Sequence, residues 1–368
     1  MNTWWCSPGT GSGQLALLNP NVRETAIEIG PIPSWDAQVA ETLLEYFPQL
    51  EEAYVGGSNW MPLLSKYPHL KTLRLCYLTH VYAGSRRSSG HPFAPGSKMP
   101  EFKVHYRFNQ DGGYSHPVPI SPSPFCLPAL QVLNIECDEL GHAPYIFPSM
   151  QLPALRTLSY AFDPNVFKNH LDVPLRAIAT AFPHLTTLKL SVVSSKGLEH
   201  VLYRAAYPQP PSITSISQRV RLGEMLAPLA PLRDLSALRI IPTDIHFDYG
   251  GADLLAIAAA WPALLELKIV VDQVGDTDGL GAEVASLDVL AELARACAGL
   301  RVLHLPRTLI VPDALAAALA EITPHHALRD LALGCGEVLG GQDLQEAKRT
   351  GRAFLRELFP DAKLVAFS

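Results

Sequence analysis

Along residues 175–190, LRAIATAFPHLTTLKL, the spacing of apolar positions changes partway through the stretch. Leu175, Ile178, Ala179 and Phe182 stand at i, i+3, i+4 and i+7, which is one face of an α-helix. Pro183 has no N–H to donate and pushes Phe182 out of the helical region, so the helix is predicted to stop there. Leu185, Leu188 and Leu190 follow as LxxLxL, and the last part alternates like a short strand with one buried face. One helix, one breaker and one strand cannot bury their own apolar side. Repetition can.

The unit recurs in fixed phase. Ala40, Leu43, Leu44 and Phe47 precede Pro48 and then Leu50, Ala53 and Val55. Trp60, Leu63, Leu64 and Tyr67 precede Pro68 and then Leu70, Leu73 and Leu75. Leu254, Ile257, Ala258 and Trp261 precede Pro262 and then Leu264, Leu267 and Ile269. Leu290, Leu293, Ala294 and Cys297 precede Leu300, Leu303 and Leu305, without the proline. Strand halves stand at Leu130/Leu133/Ile135, Leu155/Leu158/Tyr160, Leu235/Leu238/Ile240 and Leu328/Leu331/Leu333, and the chain closes on Ala362/Val365/Phe367.

This pattern resembles the leucine-rich repeat with a helix on each return leg. First leucines lie 20 residues apart (50 to 70), then 25 (130 to 155), 30 (155 to 185), 29 (235 to 264), 36 (264 to 300) and 28 (300 to 328). Repeats this irregular, with the phrases LLNPNVRE at 17–24, FPxL, YPHLKTL and LPALRTL, are similar to those of fungal F-box/leucine-rich-repeat proteins. The resemblance implies an α/β leucine-rich-repeat solenoid, a horseshoe with a parallel concave sheet and helices on the convex side. It also implies substrate recognition for an SCF-type ubiquitin ligase. Residues 1–21 read as a Gly/Ser-rich lead with no room for an F-box, and residues 22–368 as the solenoid. Contact with Skp1 and a cullin is therefore expected only if an F-box exists outside this chain.

Two stretches break the register. Residues 77–126 lie between Leu70 and Leu130, which are 60 positions apart, and carry GSRRSSGHPFAPGSK and DGGYSHPVPISPSP around an alternating run at 102–108. They read as a long projecting insert with a small hairpin or an extra strand. Residues 193–234 are irregular too, with AAYPQPPS followed by a helix predicted near 217–229, and a final helix is predicted over 342–358.

Composition narrows the function. Apolar residues make up 48% of the chain, enough for a continuous core, while 29 Lys plus Arg against 35 Asp plus Glu leave a net charge of −6. That disfavours a general nucleic-acid binder. The six cysteines show neither CxxC pairs nor disulfide-dense spacing, and the N-terminus lacks the basic and apolar runs of a secretory signal, so an intracellular protein, cytoplasmic or nuclear, is expected. The most apolar stretch, 252–271, carries Asp253, Pro262, Glu266 and Lys268, so no membrane span is expected.

Catalytic and metal signatures are weak. Residues 9–13, GTGSG, have no preceding strand and no lysine at P-loop spacing. Aligning Gly279 with the sixth position of a calcium loop puts Val274 and Ala285 where ligands belong. His325 and His326 read as loop surface residues without a second His or Cys at ligand spacing. No enzyme and no cofactor is expected, an activity on the 77–126 insert being the remote alternative and a structural scaffold the nearer one. The positions after the strands, among them Asp138, Thr243 and Thr308, are expected to bond neighbouring turns.

In LxxLxL, the residue between the last two apolar positions must point away from the core. That column reads Tyr54, Arg74, Asn134, Ser159, Lys189, Arg239, Lys268, His304 and Ala332. Its basic residues are balanced by Glu52, Glu266 and Asp330 two positions earlier, so it reads either as a mixed solvated surface or as a groove for a protein ligand. The candidate binding residues are Tyr54, Arg74, Asn134, Lys189, Arg239, Lys268 and His304, with the insert as the other location.

Overall fold

A computed structural model describes residues 3–5, 24–28, 49–55, 64, 67–75, 104–105, 118–119, 125–138, 143–162, 171–193, 218–243, 245–270, 283–338 and 344–367. The chain divides into two compact units, Met1–Leu155 and Arg156–Ser368.

The first unit contains β1 (Thr3–Trp5), β2 (Glu24–Glu28), β3 (Glu52–Val55), β4 (Thr72–Leu75), β5 (Val104–His105), β6 (Val118–Pro119), β7 (Phe125–Cys126), β8 (Val132–Asp138), α1 (Ala143–Ile146) and β9 (Met150–Gln151). Strands β1, β2, β3, β4 and β8 pair in that order, each parallel to the next. The expected helices over 40–47 and 60–67 lie outside the described residues, apart from Leu64 and Tyr67, which are buried. Within the 77–126 insert, β5 and β6 pair antiparallel as a short hairpin-like contact. At its end β7 pairs parallel with β9.

The second unit runs β10 (Thr157–Phe162), α2 (Asp172–Ala181), β11 (Thr187–Val193), β12 (Gln218–Arg221), α3 (Leu222–Leu226), β13 (Ala237–Thr243), β14 (Ile245–Asp248), α4 (Gly251–Ala260), β15 (Glu266–Ile269), α5 (Val289–Ala296), β16 (Val302–Ile310), α6 (Pro312–Ala320), β17 (Asp330–Val338), α7 (Leu344–Leu358) and β18 (Lys363–Phe367). Its main sheet is parallel and open, in the order β10-β11-β13-β15-β16-β17-β18. Each strand is added on the same side of the last. Crossovers between parallel strands of one sheet are right-handed in nearly all proteins, so helices that follow successive strands are expected on a common face.

Burial follows from that placement. Leu158, Tyr160 and Phe162 on β10, Leu188, Leu190 and Val192 on β11, and Leu267 and Ile269 on β15 are inaccessible or nearly so. Their alternates Ser159, Ala161, Lys189, Ser191 and Lys268 are only half-buried. The helices contribute Leu175, Ile178, Ala179, Leu254, Ile257, Ala258, Leu290, Leu293 and Ala294 to the same core. At about 1.5–3 kcal/mol for burying one large aliphatic side chain, this shared layer is what stabilises the unit.

Pro183 and Pro262 have a second role beyond stopping the helix. Phe182 O accepts from Leu185 N, Trp261 O from Leu264 N, and Cys297 O from Leu300 N, at 2.9–3.3 Å. These are β-turns in which Pro183 and Pro262 occupy the second position, where their fixed φ suits the turn. One residue past each turn, a single carbonyl anchors the next strand. Arg156 O accepts from Thr186 and Thr187 N, Thr186 O from Ser236 and Ala237 N, and Ser236 O from Leu265 and Glu266 N, all within 3.0 Å. The turn therefore sets the register of the sheet.

Three features depart from the sequence reading. Residues 218–221 are a strand, whereas a helix was predicted from 217, because they pair with β14 in a second, smaller parallel ladder. That ladder continues through Tyr249 with Val284 and Ser286 with Leu309, just ahead of the following helices. Helix α6 escapes the apolar pattern, since Leu315 alone of its residues is fully buried. His325, expected at the surface, is buried, with Nε2 3.2 Å from Cys297 O and its ring edge-on to Phe359. His326 is exposed as expected, with Nδ1 3.1 Å from Asp361.

Candidate interaction face

The column read from the sequence is laterally paired in both units. In the first, Tyr54 faces Arg74 and Arg74 faces Asn134 across β3, β4 and β8. Arg74 is half-exposed and lies 3.5 Å from Glu136. In the second, Ser159, Lys189, Arg239, Lys268, His304 and Ala332 stand in one register line across β10 to β17. Alternation alone places them on the side of the sheet away from the leucines.

Ion pairs organise this face. Glu266 reaches Arg239 at 3.0 Å and Lys268 at 3.3 Å, so one carboxylate holds two cations from neighbouring strands. Asp330 Oδ2 lies 3.1 Å from His304 Nε2. Lys268 and His304 were expected to be exposed, yet their side chains keep only 17% and 21% of their accessibility. Side chains packed along adjacent strands shield one another, and at His304 the Nε2 atom itself is buried.

The strands run further than LxxLxL indicates, and this adds a row the sequence reading missed. Ala161, Ser191 and Ile241 stand in register two positions beyond the column. The alternation of Lys189, Ser191 and Val193 after the motif was the available signal. Thr187 and Ala237 pair two positions before the column. Small side chains thus flank Lys189 on both sides along its strand.

Charge of a structural kind gathers at the start of α4. Asp253 Oδ2 accepts from Gly250 N at 2.9 Å, closing the first turn of α4 in the manner of a capping box. Its other oxygen meets Arg221 Nε at 3.4 Å, and Arg221 also approaches Glu283 at 3.6 Å. The carboxylates of Asp253 and Glu283 raise the Arg221 guanidinium further above its ordinary value. A Cβ on Gly223 would fall 2.2 Å from Asp253 Oδ1, so a side chain there would displace the carboxylate.

Thr308 tests the expected turn bonds, and its hydroxyl donates to Gly334 O of the next strand at 2.8 Å. The Asp138 and Thr243 side chains lie outside the described residues. Cys297 is buried, and loss of solvent pushes its thiol up to about 11. Among the described residues no group of His, Cys, Asp and Glu could hold a metal ion, and no helix is long and apolar enough to cross a membrane. In comparison with known proteins, no family model matches the chain and no curated protein matches it.

Proposed function

We propose that this chain is a non-enzymatic protein-interaction module, a leucine-rich-repeat solenoid that offers the helix-free side of its parallel sheet to a protein ligand. The observation that carries the reading is the register line Ser159–Lys189–Arg239–Lys268–His304, a row of polar side chains on the face opposite a continuous leucine core. A stacked repeat needs one face of its sheet for the core and leaves the other for recognition. The resemblance to F-box/leucine-rich-repeat proteins supports a role in selecting substrates for a ubiquitin ligase.

Affinity purification of the tagged chain, compared with the Lys189→Glu/Arg239→Glu double variant, tests this. Partners lost from the variant at unchanged Tm are the expected result. Recovery of Skp1 and a cullin would support the ligase role, and other stable partners would favour a scaffold. Capture that ignores the double reversal would move recognition off this face.

A further inference from the structure

Across β11, β13 and β15 three cations, Lys189, Arg239 and Lys268, stand in one row. Among the described residues one carboxylate meets them. Glu266, two residues before Lys268 and so on the same side of its strand, lies between Arg239 and Lys268 at 3.0 and 3.3 Å. On β13 the corresponding residue is Ala237, and on β11 it is Thr187. Lys189 consequently has no ion-pair partner among the described residues. Elsewhere on the face Asp330 lies beside His304.

The surroundings of Lys189 are open to an incoming group. Ser159, Ala161, Thr187, Ser191 and Ala237 are all small and only half-buried. Adjacent strands lie about 4.8 Å apart, so cations on neighbouring strands can share one carboxylate. Glu266 does this within the chain already. Three cations against one acid also make this patch positive in a chain of net charge −6. Such a patch attracts acidic segments and repels basic ones.

We propose that this part of the sheet binds an acidic, extended segment of a partner protein. A carboxylate of that segment sits between Lys189 and Arg239, as Glu266 sits between Arg239 and Lys268. The proposal rests on the reading of the sheet as an interaction face and adds the chemistry of its ligand.

The test uses fluorescence anisotropy at low ionic strength with a dye-labelled peptide in which Glu alternates with Ser. A Lys/Ser peptide and a single-stranded oligonucleotide serve as comparisons. Ala237→Glu supplies the carboxylate from within and should weaken binding by about tenfold or more, as should Lys189→Ala, while Arg295→Glu on α5 leaves it unchanged. Binding should also fall steeply with salt. No binding of the acidic peptide, equal binding by Ala237→Glu, or an oligonucleotide that binds as tightly as the peptide would each overturn the proposal. Ser191→Trp, a neutral block, separates it from the broader reading. A captured cellular partner lost with Ser191→Trp but retained with Ala237→Glu overturns the acidic ligand alone, whereas a partner retained by both removes the face itself.

Discussion

Leu267 is fully buried, between Leu238 and Leu303 on the neighbouring strands. Leu267→Ala should cost about 2–5 kcal/mol in denaturant unfolding, as large-to-small changes in packed cores do. A change well under one kcal/mol would mean that the leucines do not share one core. Gly334 is constrained differently. A Cβ there would fall 1.8 Å from Pro306 O, where β16 bulges against β17. Gly334→Ala should therefore destabilise by at least the ~1–3 kcal/mol typical of overpacking, because the obstacle is backbone and cannot rotate away. Cys297 contributes a pH dependence. Its folded thiol titrates near 11, against 9.0 for a free thiol, so the unfolded chain loses the proton first as pH rises. Unfolding then becomes easier between pH 9 and 11, and the stability that the buried thiol contributes below pH 9 is lost across that window. Cys297→Ala should show a flatter stability profile over the same range, and an identical slope would contradict the burial.

At the scale of elements, the insert is the place where sequence and core separate. Strands β4 and β8 flank residues 77–126 yet pair directly in parallel register. Loop closure costs only about 0.6 kcal/mol per doubling of length, so the sheet does not need a short connection. Replacing residues 84–122 with a short Gly/Ser linker should leave the thermal midpoint within a few degrees, and unfolding of that variant would show that the segment supplies core. The strands were legible because a buried leucine recurs at fixed spacing and nothing else satisfies LxxLxL so often. The helices with a broad apolar face, such as α2 and α5, were legible for the same reason. Helix α6 was not, since alanines on its exposed side blur the period. The β12–β14 ladder was hidden because QRVR and IHFD are too short to show alternation, and their pairing is set by distant chain. His325 looked like a loop residue. Its burial comes from a backbone acceptor, Cys297 O, that no local pattern announces.

For the whole molecule, the candidate column was readable as a row, but its electrostatics were not. Counting charges sets Glu52, Glu266 and Asp330 against the basic residues, whereas the structure places Glu266 between Arg239 and Lys268 and leaves Lys189 without an ion-pair partner among the described residues. Position, more than net charge, decides what such a surface can bind. The account depends on the side of the sheet that bears this column being where a protein partner docks. Site-specific photo-crosslinking tests it most directly, with a benzophenone amino acid placed at Ser159, at Ser191, or at Arg295 on α5. The account predicts partner adducts from the two sheet positions and none from Arg295. Adducts from Arg295 alone, or none at Ser159 and Ser191 while a partner is stably bound, would contradict it.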